Sequence, residues 1–154
     1  FTIAKGLGDG HAIGALMVKQ HADFFSPGDH ASTFGGNPFA CQAAITVATE
    51  IERRGLLSQV KLRGDQLRKG LVELVKMFPK HLKEARGIGL IQGLVLNEDT
   101  NLTSKSFTKA ALNEQLLVVA AGSKVIRMVP PLVIKEKEIH QLLKKLEATF
   151  KHHD

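Results

Sequence analysis

Two segments with helical periodicity fill the middle of the chain and limit its possible folds more than any other feature. Residues 38–54 repeat an apolar side chain about every four positions, and Gly55 follows directly, which is typical of a helix end. Residues 57–78 place leucine and valine on one face and lysine and arginine on the other, and Pro79 stops the pattern. Each helix must bury its apolar stripe against a second layer of structure.

Short apolar segments after residue 79 predict the strands of that second layer. Residues 80–96 begin basic and polar and end as an apolar run punctuated by glycines, which predicts one strand with a possible bulge. Residues 116–121 and 125–129 predict two paired strands joined by a turn at Gly122 and Ser123. We therefore expect an α/β protein whose three or four short strands form a mainly antiparallel sheet covered by helices.

Two more helices are predicted among these strands. Residues 104–115 form one, with Phe107, Ala111 and Leu112 facing inward. Residues 135–151 form the last helix, and its predicted buried stripe consists of Ile139, Leu142, Leu143, Leu146 and Phe150.

The first ten residues place one lysine between an apolar run and a turn with three glycines. Residues 1–4 predict the end of a buried strand, and residues 11–18 predict a second strand beside it. A lysine at the end of a buried strand is partly removed from water, which favours the neutral amine that forms Schiff bases. Lys5 is thus a catalytic candidate, and the alternative is a solvated lysine beside a glycine-rich loop.

The loop of residues 29–38 offers hydroxyl and backbone N–H groups near glycines. Ser32 and Thr33 carry the hydroxyls, and such groups suit a phosphate. The alternative is a cap and turn without a ligand, because Asn37 is a suitable N-cap and Pro38 a suitable first helical residue. Arg127 lies among apolar residues in the last predicted strand, where a charged residue is often only the solvent-facing member of an alternating pattern.

Composition narrows the classes of function. A chain of 154 residues with 44% hydrophobic residues can bury one core. No stretch is long and apolar enough to span a membrane and no leader precedes the first strand, so we expect a cytoplasmic protein without a membrane partner. The single cysteine, Cys41, excludes an internal disulfide framework. The net charge of +6 comes from basic residues interleaved with acids, and Tyr and Trp are absent, which argues against a nucleic-acid partner.

Two weaker motifs carry no predicted ligand. Residues 86–89 resemble a phosphate loop, but no lysine and hydroxyl pair follows them. His152, His153 and Asp154 lack a further placed ligand, so no metal site is predicted.

Four blocks of sequence, taken in order, resemble the second half of class III pyridoxal-phosphate-dependent aminotransferases. The blocks are residues 3–10, 12–15, 30–38 and 125–132. The resemblance implies pyridoxal phosphate as cofactor, carried by Lys5 through a Schiff base, with Thr33 contacting its phosphate. It also implies that Arg127 holds a substrate carboxylate, and we expect Ser32 to contact substrate beside it. Asp9 stands where the family usually has glycine.

The resemblance also implies a domain organisation. Residues 1–36 would end a large, doubly wound cofactor-binding domain, residues 37–55 would form a connecting helix, and residues 56–154 would form a small α+β domain. The chain lacks an initiator methionine and begins within a predicted strand, so we expect a piece of a longer enzyme that is inactive by itself.

The implied activity is the transfer of an amino group to 2-oxoglutarate in a homodimer whose subunits share the site. The short turn at residues 120–123 favours N-acetylornithine as amino donor, in arginine biosynthesis. Ornithine and 4-aminobutyrate remain alternative donors, and a non-catalytic interaction domain remains an alternative for the isolated piece.

Overall fold

A computed structural model describes residues 1–153 and divides the chain into two compact units. The first unit is Phe1–Gly55 and the second begins at Leu56.

The first unit combines a small hairpin, two short turns and one long helix. Strands β1 (Thr2–Ile3) and β2 (Ala15–Leu16) pair antiparallel, as predicted. Single turns of 3-10 helix follow each strand, at Lys5–Gly8 and Gln20–Ala22. The prediction of a buried first strand is wrong for this unit, because Phe1 is 78% exposed and Ile3 40%. The strands β1 and β2 are only two residues long, and no helix of the first unit packs over them.

Helix α1 (Pro38–Arg53) confirms the prediction for residues 38–54 and both of its predicted ends. The Asn37 side chain accepts a hydrogen bond from the Ala40 N–H at 3.0 Å, and Pro38 occupies the first helical position. Gly55 follows the helix in the left-handed conformation, with φ of 58°.

The second unit is a four-stranded antiparallel sheet with three helices on one face. Helix α2 (Leu56–Met77) precedes the hairpin of β3 (Leu82–Ile88) and β4 (Ile91–Leu96). Helix α3 (Ser104–Asn113), the short strand β5 (Val119–Ala120), β6 (Val125–Met128) and α4 (Glu136–Lys151) complete it. The strand order is β3-β4-β6-β5, and every pair is antiparallel, which confirms the expected sheet.

The core of this unit lies between the sheet and the helices. Helices α2 and α3 contact the strands, and α4 packs on both helices. Phe150 of α4 stacks on Phe78 and Phe107, with ring centroids 5.3 Å and 4.4 Å apart. Of the predicted inward residues, Phe107 and Ala111 are buried, whereas Leu112 is 54% exposed because it lies on the outer side of α3.

Residues 80–96 form two strands rather than the one predicted. The chain reverses at Gly89 and Leu90, and Ile88 pairs with Ile91 across the turn. Gly87 and Gly89 have φ of 144° and 51°, a conformation that side chains disfavour. The Gln92 side chain donates a hydrogen bond to the Gly89 carbonyl at 2.7 Å and fixes the turn. The glycines form this turn rather than the bulge predicted from them, and the register of the hairpin shifts elsewhere, between Leu82 and Glu84.

No helix within residues 1–153 has the length and apolar character that a membrane crossing needs. Over the same residues, no three histidine, cysteine or acidic side chains are grouped so as to hold a metal ion. Asp154 lies outside the described residues.

Candidate functional site

Lys5 adopts a backbone conformation that is uncommon for a residue with a side chain. It opens the 3-10 turn with φ of 56°, in the left-handed region, and Asp9 just after the turn has φ of 45°. Such conformations cost about 1–3 kcal/mol, persist where surrounding structure imposes them and cluster at functional sites. The turn itself is held by hydrogen bonds from the Leu7 N–H to the Ala4 carbonyl and from the Asp9 N–H to the Gly6 carbonyl. Glycine adopts the left-handed conformation most easily, which explains why the class III aminotransferases usually have glycine where this chain has Asp9.

The side chain of Lys5 is exposed, and within residues 1–153 it makes no hydrogen bond or ion pair. The expected desolvation by a buried strand is therefore not provided by the first unit. A shallow cavity of about 320 Å³ lies where Gly8 and His11 meet Phe39 of α1, and Lys5 does not line it. The amino group of Lys5 nonetheless has no competing partner within residues 1–153.

Ser32 and Thr33 lie in the exposed loop that leads to α1 and differ in what their hydroxyls do. The Ser32 hydroxyl oxygen accepts a hydrogen bond from the Gly35 N–H at 2.9 Å, which is the turn predicted as the alternative to a ligand site. Thr33 makes no side-chain hydrogen bond in the described part of the chain, and none joins it to Lys5. Its hydroxyl is available to a ligand.

Arg127 lies on the open face of the second unit's sheet, opposite to the helices. Its neighbours in β6, Ile126 and Met128, are 0% and 2% exposed and point to the core, so the alternation of the strand turns Arg127 outward. Across the sheet, Arg127 pairs with Gly93 of β4 on one side and with Val119 of β5 on the other.

A second arginine shares that cross-strand row. Gly93 pairs on its other side with Arg86 of β3, so the row reads Arg86, Gly93, Arg127, Val119. The Arg86 side chain is 62% exposed, and its guanidinium lies 3.8 Å from a carboxylate oxygen of Glu84. Exposed apolar side chains border the row towards the β3–β4 turn: Ile88, Ile91 and Val129.

The sequence pattern did not place Arg86 in the same cross-strand row as Arg127, because residues 80–96 were predicted as one strand. A turn at Gly89 would have placed Arg86 and Gly93 opposite each other. Lys5, Ser32 and Thr33 belong to the first unit, and Arg86 and Arg127 belong to the second.

The sequences of several aminotransferases are similar to this chain over nearly its whole length. The acetylornithine aminotransferase of Prochlorococcus marinus (strain MIT 9313) is 67% identical over 152 residues, 99% of this chain and 36% of that protein. The enzyme of the same name from Nostoc sp. is 55% identical over 150 residues, 97% of this chain and 35% of that protein. The chain thus spans little more than a third of the length of these relatives.

Solved structures match the fold as well. Acetylornithine aminotransferase from Elizabethkingia anophelis superposes with a TM-score of 0.84 at 27% identity, covering 98% of this chain and 40% of that one. Ornithine aminotransferase from Toxoplasma gondii superposes with a TM-score of 0.86 at 27% identity, covering 98% and 37%. The sequence pattern of the class III aminotransferases matches residues 1–150. This chain belongs to the class III aminotransferase family.

Proposed function

We propose that the chain supplies the lysine-bearing and arginine-bearing part of an acetylornithine aminotransferase. The observation that carries the proposal is Lys5, a strained left-handed residue whose amine has no partner within residues 1–153. The names of relatives that are 67% and 55% identical support the choice of substrate.

The residues present fit pyridoxal phosphate, the cofactor of this family. Lys5 offers an unpartnered primary amine, and Thr33 an unpartnered hydroxyl, which are the groups that an aldehyde and a phosphate need. When bound, the cofactor supplies an electron sink for the bond broken at the substrate carbon. Lys5 Nζ would hold the cofactor, and its amino group would take a proton from the substrate carbon as general base and give it up again as general acid.

Arg127 receives the substrate carboxylate in this proposal. Arg127 is exposed on the open sheet face, where it is directly opposite Gly93 of β4. A planar guanidinium can bind both oxygens of a carboxylate at once, which an ammonium group cannot do. Ser32 has a weaker case as a substrate contact, because its hydroxyl already accepts a hydrogen bond from Gly35.

The reaction we propose transfers the amino group of N-acetylornithine to 2-oxoglutarate, in arginine biosynthesis. A second candidate donor is ornithine, which the TM-score of 0.86 to an ornithine aminotransferase favours. We also propose a homodimer that shares the site between subunits, located in the cytoplasm, where a single unpaired cysteine such as Cys41 is common. Residues 1–36 would then belong to the large domain, residues 37–55 would form the connecting helix, and residues 56–154 would form the small domain.

Chemical trapping of the cofactor tests the proposal. The full-length protein is incubated with pyridoxal phosphate, reduced with borohydride and digested, and the modified lysine is identified by mass spectrometry. Stoichiometric label on Lys5 is expected, and K5R should lose both label and transamination. Label scattered over surface lysines, or none, would contradict the proposal and favour a non-catalytic interaction domain. A panel of N-acetylornithine, ornithine and 4-aminobutyrate then identifies the donor.

A further inference from the structure

We propose that His11 is a positioning residue for Lys5. Its ring packs on Phe39 and holds the glycine-rich turn against helix α1, which keeps the Lys5 amine at a fixed place relative to Thr33. The inference rests on the proposed function, because it takes Lys5 and Thr33 as the groups that bind one cofactor.

The place of the Lys5 amine depends on the backbone of its turn. The side chain is exposed, and within residues 1–153 its amine has neither a hydrogen bond nor an ion pair to orient it. The backbone of the turn is costly to maintain, because Lys5 and Asp9 both adopt left-handed conformations, with φ of 56° and 45°. Conformations of this kind persist only where the surrounding structure imposes them.

The hydrogen bonds of the turn do not attach it to the rest of the first unit. The two that close the turn are 3.2 and 3.3 Å long, at the long end of the range for N–H···O bonds. Within residues 1–153, no hydrogen bond or ion pair joins residues 5–11 to residues 32–53. The turn is therefore held on α1 by packing.

His11 provides this packing. Its N–H donates a hydrogen bond to the Gly8 carbonyl at 3.0 Å, which links His11 to the end of the turn. Its ring meets the Phe39 ring edge to face, with ring centroids 4.7 Å apart and an interplanar angle of 84°. Gly8 is buried, and a Cβ built there would lie 2.7 Å from Cγ2 of Ile13, so the turn is also in close contact with Ile13.

Helix α1 fixes the other side of the ring contact. Phe39 is the second residue of the helix, next to the Asn37 cap and Pro38. Thr33 lies four residues before the same cap. The contact between the two rings therefore joins the segment that carries Lys5 to the segment that carries Thr33. A ligand that meets both groups binds best when their separation is set in advance.

The packing beside the ring contact is incomplete. A cavity of about 320 Å³ lies between the turn and α1, where Gln42 and Thr46 line it on the helix side. Loss of either ring should therefore free the turn. The fraction of free protein in the binding conformation would fall, and the apparent dissociation constant of the cofactor would rise by the same factor. An aromatic pair of this geometry corresponds to a change of about twofold to tenfold.

Two readouts of the full-length protein test the inference in wild type, H11A, H11F and H21A. In the apoprotein, peptides covering residues 5–11 should exchange their amide hydrogens about twofold to tenfold faster in H11A. The dissociation constant for pyridoxal phosphate should rise by a similar factor. H11F keeps a ring that can meet Phe39 and should restore both values. H21A removes an exposed imidazole of the same unit outside this cavity and should change neither.

A double-variant cycle tests Phe39 as the partner of His11. F39A should have the effects of H11A, and the double variant should be no worse than either, because all three lose the same contact. KM for N-acetylornithine and for 2-oxoglutarate, measured at saturating pyridoxal phosphate, should be unchanged, because Arg127 belongs to the second unit. A general loss of structure would raise these KM values as well.

The outcomes separate this inference from the proposed function. An unchanged rate of exchange or an unchanged affinity in H11A overturns the inference, and so do additive effects of H11A and F39A. When the wild type is active, each of these results leaves the proposed function intact. A wild type that binds no pyridoxal phosphate overturns both. If H11A does not fold, the same two measurements on F39L decide.

Discussion

Gly64 of α2 lies against Gly89 in the β3–β4 turn, so closely that a Cβ at position 64 would be 2.5 Å from the Gly89 carbonyl oxygen. The helix backbone thus touches the hairpin turn directly. The hairpin carries Arg86 and Gly93, so this contact sets the position of half of the arginine row.

Replacing Gly64 with alanine should destabilise the protein. The new methyl group meets backbone atoms, which cannot rotate away, and we expect a loss of about 1–3 kcal/mol even though alanine favours helices. G70A is the comparison on the same helix, since the atoms nearest to its methyl group are Cδ1, Cδ2 and Cγ of the Leu143 side chain, which can change rotamer, rather than backbone atoms. Urea unfolding monitored by circular dichroism compares the stability of G64A and G70A. Equal stability of the two variants would contradict a close backbone contact at Gly64.

Lys124 stabilises the turn that precedes α3 through hydrogen bonds to its backbone. Its ammonium group donates hydrogen bonds to the carbonyl oxygens of Asn97, Glu98 and Thr100, at 3.0, 3.1 and 2.9 Å. K124M should lower the free energy of unfolding by about 1–3 kcal/mol, because partly buried carbonyls lose a charged donor. K109M, at an exposed position on α3, should change it by less than about 0.5 kcal/mol. A K124M unfolding curve that overlays the wild type would refute this role.

Gln115 ends helix α3 in the left-handed conformation, with φ of 53°. The hydrogen bonds from the Gln115 N–H to the Leu112 carbonyl and from the Leu116 N–H to the Ala111 carbonyl form a Schellman motif, which glycine prefers. Q115G should therefore raise the free energy of unfolding by about 0.5–1 kcal/mol. Thermal unfolding measures this change in stability. A lower melting temperature for Q115G than for the wild type would contradict the Schellman motif at this position.

The guanidinium of Arg127 should be irreplaceable by an ammonium group. R127K keeps the charge and loses the planar pair of donors, so we expect KM for 2-oxoglutarate to rise at least tenfold, or about 1.5 kcal/mol. Borohydride labelling of Lys5 should be unaffected, which separates substrate binding from cofactor binding. R53K, on the exposed end of α1, is the control. An unchanged KM in both half-reactions would remove Arg127 from the site.

The end of α4 should make stability depend on pH. Burial, together with the nearby imidazoles of His81 and His152, lowers the pKa of His153 below its ordinary value of 6.5. The unfolded chain therefore takes up this proton first as the pH falls, and the stabilisation present above pH 6.5 is lost below it. H153Q should weaken the loss of stability between pH 7.5 and 5.5, measured as the urea midpoint. Q141N, at an exposed position on α4, should not.

Periodicity predicted the helices because their causes are local. The Asn37 cap, Pro38 and the left-handed Gly55 are adjacent in sequence, and the stripe of α2 follows from spacing alone. The β3–β4 turn was missed because what fixes it is not local: its glycines are shaped by the contact with Gly64 and by the Gln92 side chain. The arginine row depends on that turn, so it could not be predicted without the pairing.

The candidate site also has features that depend on local sequence and features that depend on long-range packing. The roles of Lys5, Thr33 and Arg127 follow from the resemblance to the class III aminotransferases, and each stays a prediction. The exposure of Lys5 could not be predicted, because burial of a strand depends on what covers it rather than on its own residues.

Strand β6 has four residues, and its pairing with Gly93 decides which way Arg127 faces. A shift of one residue would turn the arginine into the core and put Ile126 outside. A bulge in β6 or in the facing part of β4 would therefore remove the proposed carboxylate ligand from the open face while every proposed site residue is kept. Comparison of homologous sequences should accordingly weigh insertions in these two strands as heavily as substitutions of the arginine itself.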